Sequence, residues 1–269
     1  MMPSARTRVF ALLGEPVHHS LSPRFQNAGF LAAGLDAIYV ALPVAAADLA
    51  TMMHTLAAAG GGGNITIPHK QLAATVVAST VSRVERLGVA NVFTSDGARL
   101  VLGNTDVDGV LAAVDRLEMR RESWCILGTG GSARAVAGAA LECGAAIAVR
   151  SRDAARGASF AQWAEALGVR LVRAEECHLV VNATPLGLLD GDPMPITSGA
   201  LPLLTAALDL TYRPHGESRW VSRCREEGLR AIDGREILLA QGAAAWALWF
   251  PGVVPPLEVM RAALDGRMG

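Results

Sequence analysis

Short apolar runs alternate with amphipathic stretches along most of the chain. Residues 8–13 (Arg-Val-Phe-Ala-Leu-Leu) and 38–42 read as strands, and residues 22–33 and about 46–59 carry helical periodicity. Residues 64–67 (Asn-Ile-Thr-Ile) read as a third strand, entered through four consecutive glycines, Gly60 to Gly63. Ser22 stands where an N-cap belongs, with Pro23 in the first helical turn. After Gly109 a helix leads into the charged stretch 116–122. Strands over 124–127, 146–149, 169–172, 179–182, 206–209 and 229–232 then alternate with helices over about 133–143, 154–167 and 218–227. From about residue 235 the pattern is helical with no strand of its own, so this segment must pack on the first part of the chain. Strand–helix alternation of this kind predicts α/β architecture with parallel or mostly parallel sheets.

The most informative local stretch is Trp124-Cys-Ile-Leu-Gly-Thr-Gly-Gly-Ser-Ala133, where an apolar strand runs into glycines and then into an alanine-rich helix. That is the phosphate-cradling turn of a dinucleotide-binding βαβ unit. Gly128 allows the tight turn, Gly130 removes the Cβ that blocks a pyrophosphate, and Ala133 lets the helix pack close to the strand. The free N–H groups of the first helical turn then face the anion.

Composition narrows the partners. A chain of 269 residues with 51% hydrophobic content can bury a large core and divides most naturally into two compact units. A formal charge of −1, without a basic cluster, removes the electrostatic basis for binding nucleic acid or anionic lipid. Cys125, Cys143, Cys177 and Cys224 lack metal-ligand spacing and read as reduced thiols of a cytoplasmic protein, with no metal expected. The first eight residues precede a strand-like run instead of a signal-peptide apolar region. Residues 237–257 carry no charge, but Pro251, Pro255 and Pro256 limit the helical part to about 14 residues, below the roughly 20 that cross a bilayer. This is a core helix, and no membrane partner is expected.

Three polar clusters stand at the ends of strands in the first half, where ligands of α/β sheets collect. They are His18-His-Ser-Leu-Ser-Pro23, Gly63-Asn-Ile-Thr-Ile-Pro-His-Lys70 and Gly103-Asn-Thr-Asp-Val-Asp-Gly109, with Asn91 between the last two. Each has a plainer reading: a helix start at Ser22-Pro23, a turn and cap before a helix beginning near Asp108, a solvated cation at Lys70. Jointly they supply what reduction of a ketone beside a polyhydroxylated carboxylate requires. Serine hydroxyls bind a carboxylate, asparagine and threonine hold ring hydroxyls, and a lysine ammonium stabilises the oxygen that hydride addition charges.

On these residues the chain resembles the shikimate dehydrogenases. The family's serine motif matches Ser20-Leu-Ser22-Pro23, its N-V/I-T-x-P-x-K signature matches Asn64 to Lys70, and its N-T-D-x-x-G signature matches Asn104 to Gly109. The glycine turn matches Gly128 to Ala133, N-A-T matches Asn182-Ala-Thr184, D-x-x-Y matches Asp209 to Tyr212, and the final substrate-facing glutamine matches Gln241. The resemblance implies an N-terminal, mostly parallel α/β substrate domain over 1–107, completed by helices returning over 236–269. A doubly wound Rossmann domain binding NADP would occupy 108–235. It implies reversible NADPH-dependent reduction of 3-dehydroshikimate to shikimate, in aromatic amino-acid biosynthesis, by a monomer or homodimer. Lys70 and Asp106 become the catalytic pair, Ser20 and Ser22 hold the carboxylate, and Thr66, Asn91, Asp106, Tyr212 and Gln241 contact the ring and its hydroxyls. The cofactor falls to Gly128, Gly130, Gly131, Ser132, Ala133, Ser151, Arg152, Arg156, Asn182, Thr184 and Gly234.

Cofactor choice has its own argument. About 20 residues past the glycine turn, an acidic residue marks NAD and arginines mark the 2′-phosphate of NADP. Arg150-Ser-Arg-Asp153 followed by Arg156 favours the phosphate, which guanidinium groups match with forked donors. Asp153 dissents, and an ion pair between Arg156 and Asp153 is the competing reading. Gln26, Ala90-Asn91-Val92 and Arg235-Glu236-Ile237 depart from the family pattern. They leave open a quinate or aminoshikimate dehydrogenase, though Ser22 favours shikimate. A non-catalytic nucleotide-binding sensor would have no need of Lys70 and Asp106, and an enzyme acting on a folate-like one-carbon carrier would leave Ser20, Ser22 and Asn104-Thr-Asp106 without a role.

Overall fold

The apolar runs become two five-stranded sheets in the computed structural model, which describes residues 3–77, 82–97, 99–189, 191–197, 199–214 and 216–267. The chain divides into two units, Met1–Thr105 with Leu238–Gly269, and Asp106–Ile237.

The first unit runs β1 (Arg8–Gly14), α1 (Ser22–Ala32), β2 (Ala37–Pro43), α2 (Leu49–Ala58), β3 (Gly62–Ile65), α3 (Lys70–Ala73), α4 (Ser82–Leu87), β4 (Val92–Ser95) and β5 (Leu100–Gly103). Its sheet has the order β2-β1-β3-β4-β5; β1 pairs in parallel with β2 and β3, and β4 pairs antiparallel with both neighbours. The hairpin of β4 and β5 was not expected, because four-residue strands on either side of Asp96-Gly97 carry little periodicity of their own. Half of the glycine run, Gly62 and Gly63, proves to lie within β3, with Gly60 and Gly61 before it. A Cβ at Gly63 would sit 1.9 Å from the Ala11 carbonyl oxygen of β1, and one at Gly62 would sit 2.5 Å from that of Phe93. Ser22 is the first helical residue and not the N-cap, which is Leu21 and makes no side-chain bond. Ser20 does the local work instead: its Oγ accepts the Ser22 N–H at 3.1 Å.

The helical part of the charge-free C-terminal segment, up to Phe250, is core. It breaks into α9 (Gly234–Ala244) and α10 (Trp246–Trp249), and α11 (Leu257–Leu264) packs on α1. Trp246, Trp249 and Phe250 close on Phe10 and Phe30, with ring centroids 5.0–5.5 Å apart. Gln26 joins the two layers. Its Nε2 donates to the Gly242 carbonyl at 2.9 Å, and its Oε1 accepts the Trp246 indole N–H at 2.8 Å. Among the described residues no helix is long and apolar enough to cross a membrane.

The second unit runs α5 (Asp106–Arg116), β6 (Trp124–Leu127), α6 (Gly131–Cys143), β7 (Ile147–Arg150), α7 (Ala154–Ala166), β8 (Leu179–Asn182), β9 (Ala206–Asp209), α8 (Arg219–Glu226) and β10 (Arg230–Ile232), then the start of α9. All pairs of its sheet, order β10-β9-β8-β6-β7, are parallel. Residues 169–172 do not form the expected strand, since only Leu171 bridges, to Ile147 beyond the β7 edge. The helix expected after Gly109 already starts at Asp106. Cys125, Cys177 and Cys224 are buried free thiols, and Cys143 is half-buried.

Candidate functional site

In the first unit the motif residues gather around Asn91, just before β4. Asn91 is 2% exposed and all its polar groups are engaged within the unit. Its Oδ1 accepts the Thr105 N–H at 2.6 Å, and its Nδ2 donates to Thr105 Oγ1 at 3.1 Å and to Gln241 Oε1 at 3.3 Å. Its backbone carbonyl accepts from Ile65 N and from Asn64 Nδ2. Asn64 in turn accepts the Tyr39 hydroxyl at 2.7 Å. Four asparagine, threonine and glutamine side chains are thereby collected at the carboxyl end of β3, from β3 itself, the ends of β4 and β5, and α9.

Lys70 opens α3 and is half-buried. Its backbone carbonyl accepts the Ala90 N–H at 2.9 Å, so the segment carrying the lysine is tied to the residue before Asn91. His69, beside it, is buried, with Nε2 2.6 Å from the Val44 carbonyl oxygen. Thr66 lies just past β3, half-buried, its N–H bonded to Leu13 O. Ser20 is half-buried and Ser22 is 3% exposed. Asp106, half-buried, is the first residue of α5 and follows directly on Thr105.

In the second unit the glycine turn has the form that a bound pyrophosphate needs. Gly128 holds φ at +104°, a left-handed value that a side chain resists, and an added Cβ would meet Thr184 Cγ2 at 3.0 Å. Gly130 is exposed, and a Cβ there would meet nothing within 4 Å, so open space stands at the helix N-terminus. Gly131 and Ser132 form the first turn of α6, and Ala133 is fully buried against the sheet. Asn182 ends β8; its Oδ1 accepts from Thr184 N and Oγ1, and its Nδ2 donates to Asp209 Oδ1 at 2.9 Å. Asp209 is buried, and desolvation raises its pKa against the opposing bonds from Ser218, Thr211 and Asn182. Thr211 and the half-buried Tyr212 follow β9, and Gly234 N donates to Thr211 O at 2.9 Å, starting α9 beside that loop.

Ser151, Arg152 and Arg156 lie at the end of β7 and the start of α7, with both arginines exposed. Asp153 is occupied as the N-cap of α7, where its side chain accepts the Arg156 backbone N–H at 3.1 Å. The expected competitor, a side-chain pair between Asp153 and Arg156, is not what forms, and among the described residues neither Arg152 nor Arg156 is ion-paired. The departure at Arg235-Glu236 is likewise absorbed: Glu236 pairs with Arg116 at 2.8 Å, and Arg235 with Asp233 at 3.3 Å. The motifs make Thr105 and Asn64 visible in the sequence but assign neither a contact of its own, whereas Arg83 carries no sequence signal at all.

The two sheets, and a glycine turn opening a helix at the carboxyl end of a parallel strand, define an α/β protein with a dinucleotide-binding unit. Residues 12–93 match the family model for the shikimate dehydrogenase substrate binding domain, and residues 234–264 match that for the shikimate 5′-dehydrogenase C-terminal domain. The shikimate dehydrogenase (NADP(+)) of Trichormus variabilis is 33% identical, covering 100% of this chain and 99% of its own. That of Synechocystis sp. is 36% identical, covering 98% and 97%. Among solved structures, shikimate 5-dehydrogenase from Thermus thermophilus, in complex with NADP(H) and shikimate, superposes with a TM-score of 0.86 at 32% identity, covering 97% of this chain and 99% of that one. The chain belongs to the shikimate dehydrogenase family.

Proposed function

We propose that this protein is an NADP-dependent shikimate dehydrogenase that reversibly reduces 3-dehydroshikimate to shikimate, acting in the cytoplasm as a monomer or homodimer. The observation that carries the reading is the double tie at Ala90-Asn91. Ala90 N–H bonds the carbonyl of Lys70, and Asn91 Oδ1 bonds the N–H of Thr105, which precedes Asp106. Two adjacent residues thus bond the backbone of Lys70 and of the residue before Asp106, which supports the pairing.

In this reading Lys70 and Asp106 act on the substrate carbonyl. The Lys70 ammonium donates to the carbonyl oxygen, stabilises the charge that grows there as hydride reaches the carbon, and transfers a proton to it. Asp106 accepts hydrogen bonds from the lysine and from the adjacent substrate hydroxyl, restricting both to a reactive pose. Ser20 and Ser22 receive the carboxylate, while Thr66, Asn91, Tyr212 and Gln241 take the ring and its hydroxyls. NADPH, when bound, supplies the hydride. The residues present fit that cofactor: the open space at Gly130 and the N-terminal turn of α6 suit the pyrophosphate, with Gly128, Gly131, Ser132, Ala133, Asn182, Thr184 and Gly234 shaping its bed. Ser151, Arg152 and Arg156 suit the 2′-phosphate, because Asp153 is turned into the helix cap and leaves both guanidinium groups available.

The test follows NADPH and NADH absorbance with 3-dehydroshikimate and 3-dehydroquinate, and the reverse reaction with shikimate and quinate. Turnover of 3-dehydroshikimate with NADPH, at the highest kcat/KM of the set, is expected. A preference for the quinate pair would move the substrate assignment to that relative, and no turnover with any pair would leave a nucleotide-binding sensor.

A further inference from the structure

We propose that Arg83 is a positioning residue for Asp106, an inference that rests on the catalytic reading above. Arg83 lies in the first turn of α4, half-buried, and its Nη1 donates to the backbone carbonyl of Asn104 at 3.1 Å. The N–H of the same peptide unit belongs to Thr105 and donates to Asn91 Oδ1 at 2.6 Å. The peptide between Asn104 and Thr105 is therefore held at both of its polar ends by side chains from outside its own segment. It is the last full peptide before the one that carries Asp106.

Two further bonds stiffen the same short stretch. The Asn104 side chain donates to Val89 O at 3.1 Å, and the Thr105 hydroxyl lies against Asn91. Rotation of a peptide plane about its flanking Cα atoms costs little when its C=O and N–H face water, and such a rotation would redirect the side chain that follows. Here both groups sit in a buried environment, where Asn104 and Thr105 are 3% and 4% exposed. A flip would strand two buried polar groups. A charged guanidinium makes a stronger donor to a carbonyl than a neutral group does. The chain turns from β5 into α5 at this point, and the Asn104 carbonyl lies just beyond the last residue of the strand. Arg83 thus fixes the direction in which Asp106 leaves the turn.

The test compares Arg83→Ala, Arg83→Met and Arg83→Lys with the wild-type enzyme in shikimate oxidation. Loss of the donor in the Ala and Met variants is expected to lower kcat about tenfold with KM for shikimate and for NADP within about twofold, since the binding groups stay in place. Lysine, which retains a cationic donor, should keep most of the activity. Guanidinium chloride on the order of tens of millimolar, far below denaturing concentration, should restore much of the loss in Arg83→Ala, and sodium chloride at matched ionic strength should not. Unchanged kcat in the Ala and Met variants overturns the proposal. So does a loss shared by kcat and KM, accompanied by a lowered Tm and insensitive to guanidinium, because that pattern describes a merely structural arginine. An inactive wild-type protein overturns the catalytic reading itself, and this inference with it.

Discussion

Asn182 Nδ2 donates to Asp209 Oδ1 at 2.9 Å, joining the carboxyl ends of the paired strands β8 and β9 beneath the glycine turn. Asp209 also accepts from Thr211 N and Oγ1 and from Ser218 Oγ, so both of its oxygens are engaged. Desolvation nevertheless raises its pKa above the ordinary 3.8. A carboxyl whose folded-state pKa is raised contributes stability that is present below the unfolded value and is lost as pH rises through the folded one. Asp209→Asn removes that titration and keeps an acceptor for Asn182. The stability of the native chain relative to Asp209→Asn is therefore expected to decline as pH rises above the ordinary carboxylate range, as read from urea midpoints over a pH series. Parallel pH profiles for the two proteins would contradict this.

Gly63 offers a sharper stability test. The backbone of β1 passes so close that a Cβ would lie 1.9 Å from Ala11 O, and neither strand can give way without breaking the ladder. Gly63→Ala is expected to cost at least about 3 kcal/mol or to prevent folding, whereas Gly191→Ala, with nothing within 4 Å, should be neutral within about 0.5 kcal/mol. Thermal unfolding followed by circular dichroism distinguishes them.

Lys70→Ala is expected to lower kcat by about 10² or more while leaving KM for shikimate within a few-fold. Steady-state kinetics with shikimate and NADP provide the check. A large rise in KM at unchanged kcat would make Lys70 a binding group instead.

For Arg152→Ala the expected outcome is a loss of NADPH affinity of about tenfold or more with little change for NADH, the size of a removed hydrogen bond to a charged group. Arg152 is exposed and has no ion-pair partner among the described residues, so the fold should not be disturbed. Fluorescence titration of both cofactors reads the difference directly, and equal losses would refute the phosphate assignment.

What the sequence by itself determined is whatever a few neighbouring residues decide among themselves. The apolar run 124–127 followed by Gly128 and an alanine-rich helix is one such unit. Tight turn, left-handed glycine and close helix packing are all local demands, and the structure meets each of them. Motif order similarly made Asn64, Asn91, Asn104 and Gln241 visible as polar residues at strand ends or in the final helix.

Only the tertiary structure decided what those residues bond. Asn91 and Gln241 are separated by 150 positions, Gln26 and Trp246 by 220, and no local pattern encodes either meeting. The glycine run misleads for the same reason: its purpose is to let β3 lie against Ala11 and Phe93, which belong to other strands. Residues 169–172 show the converse. A strand-like run forms no strand when its place beyond the β7 edge leaves it a single bridging residue. Arg83 carries no signal in the sequence until folding sets the Asn104 carbonyl before it. Backbone conformation is largely a short-range property, whereas the partner of a buried polar group is chosen by whichever segments the core brings together.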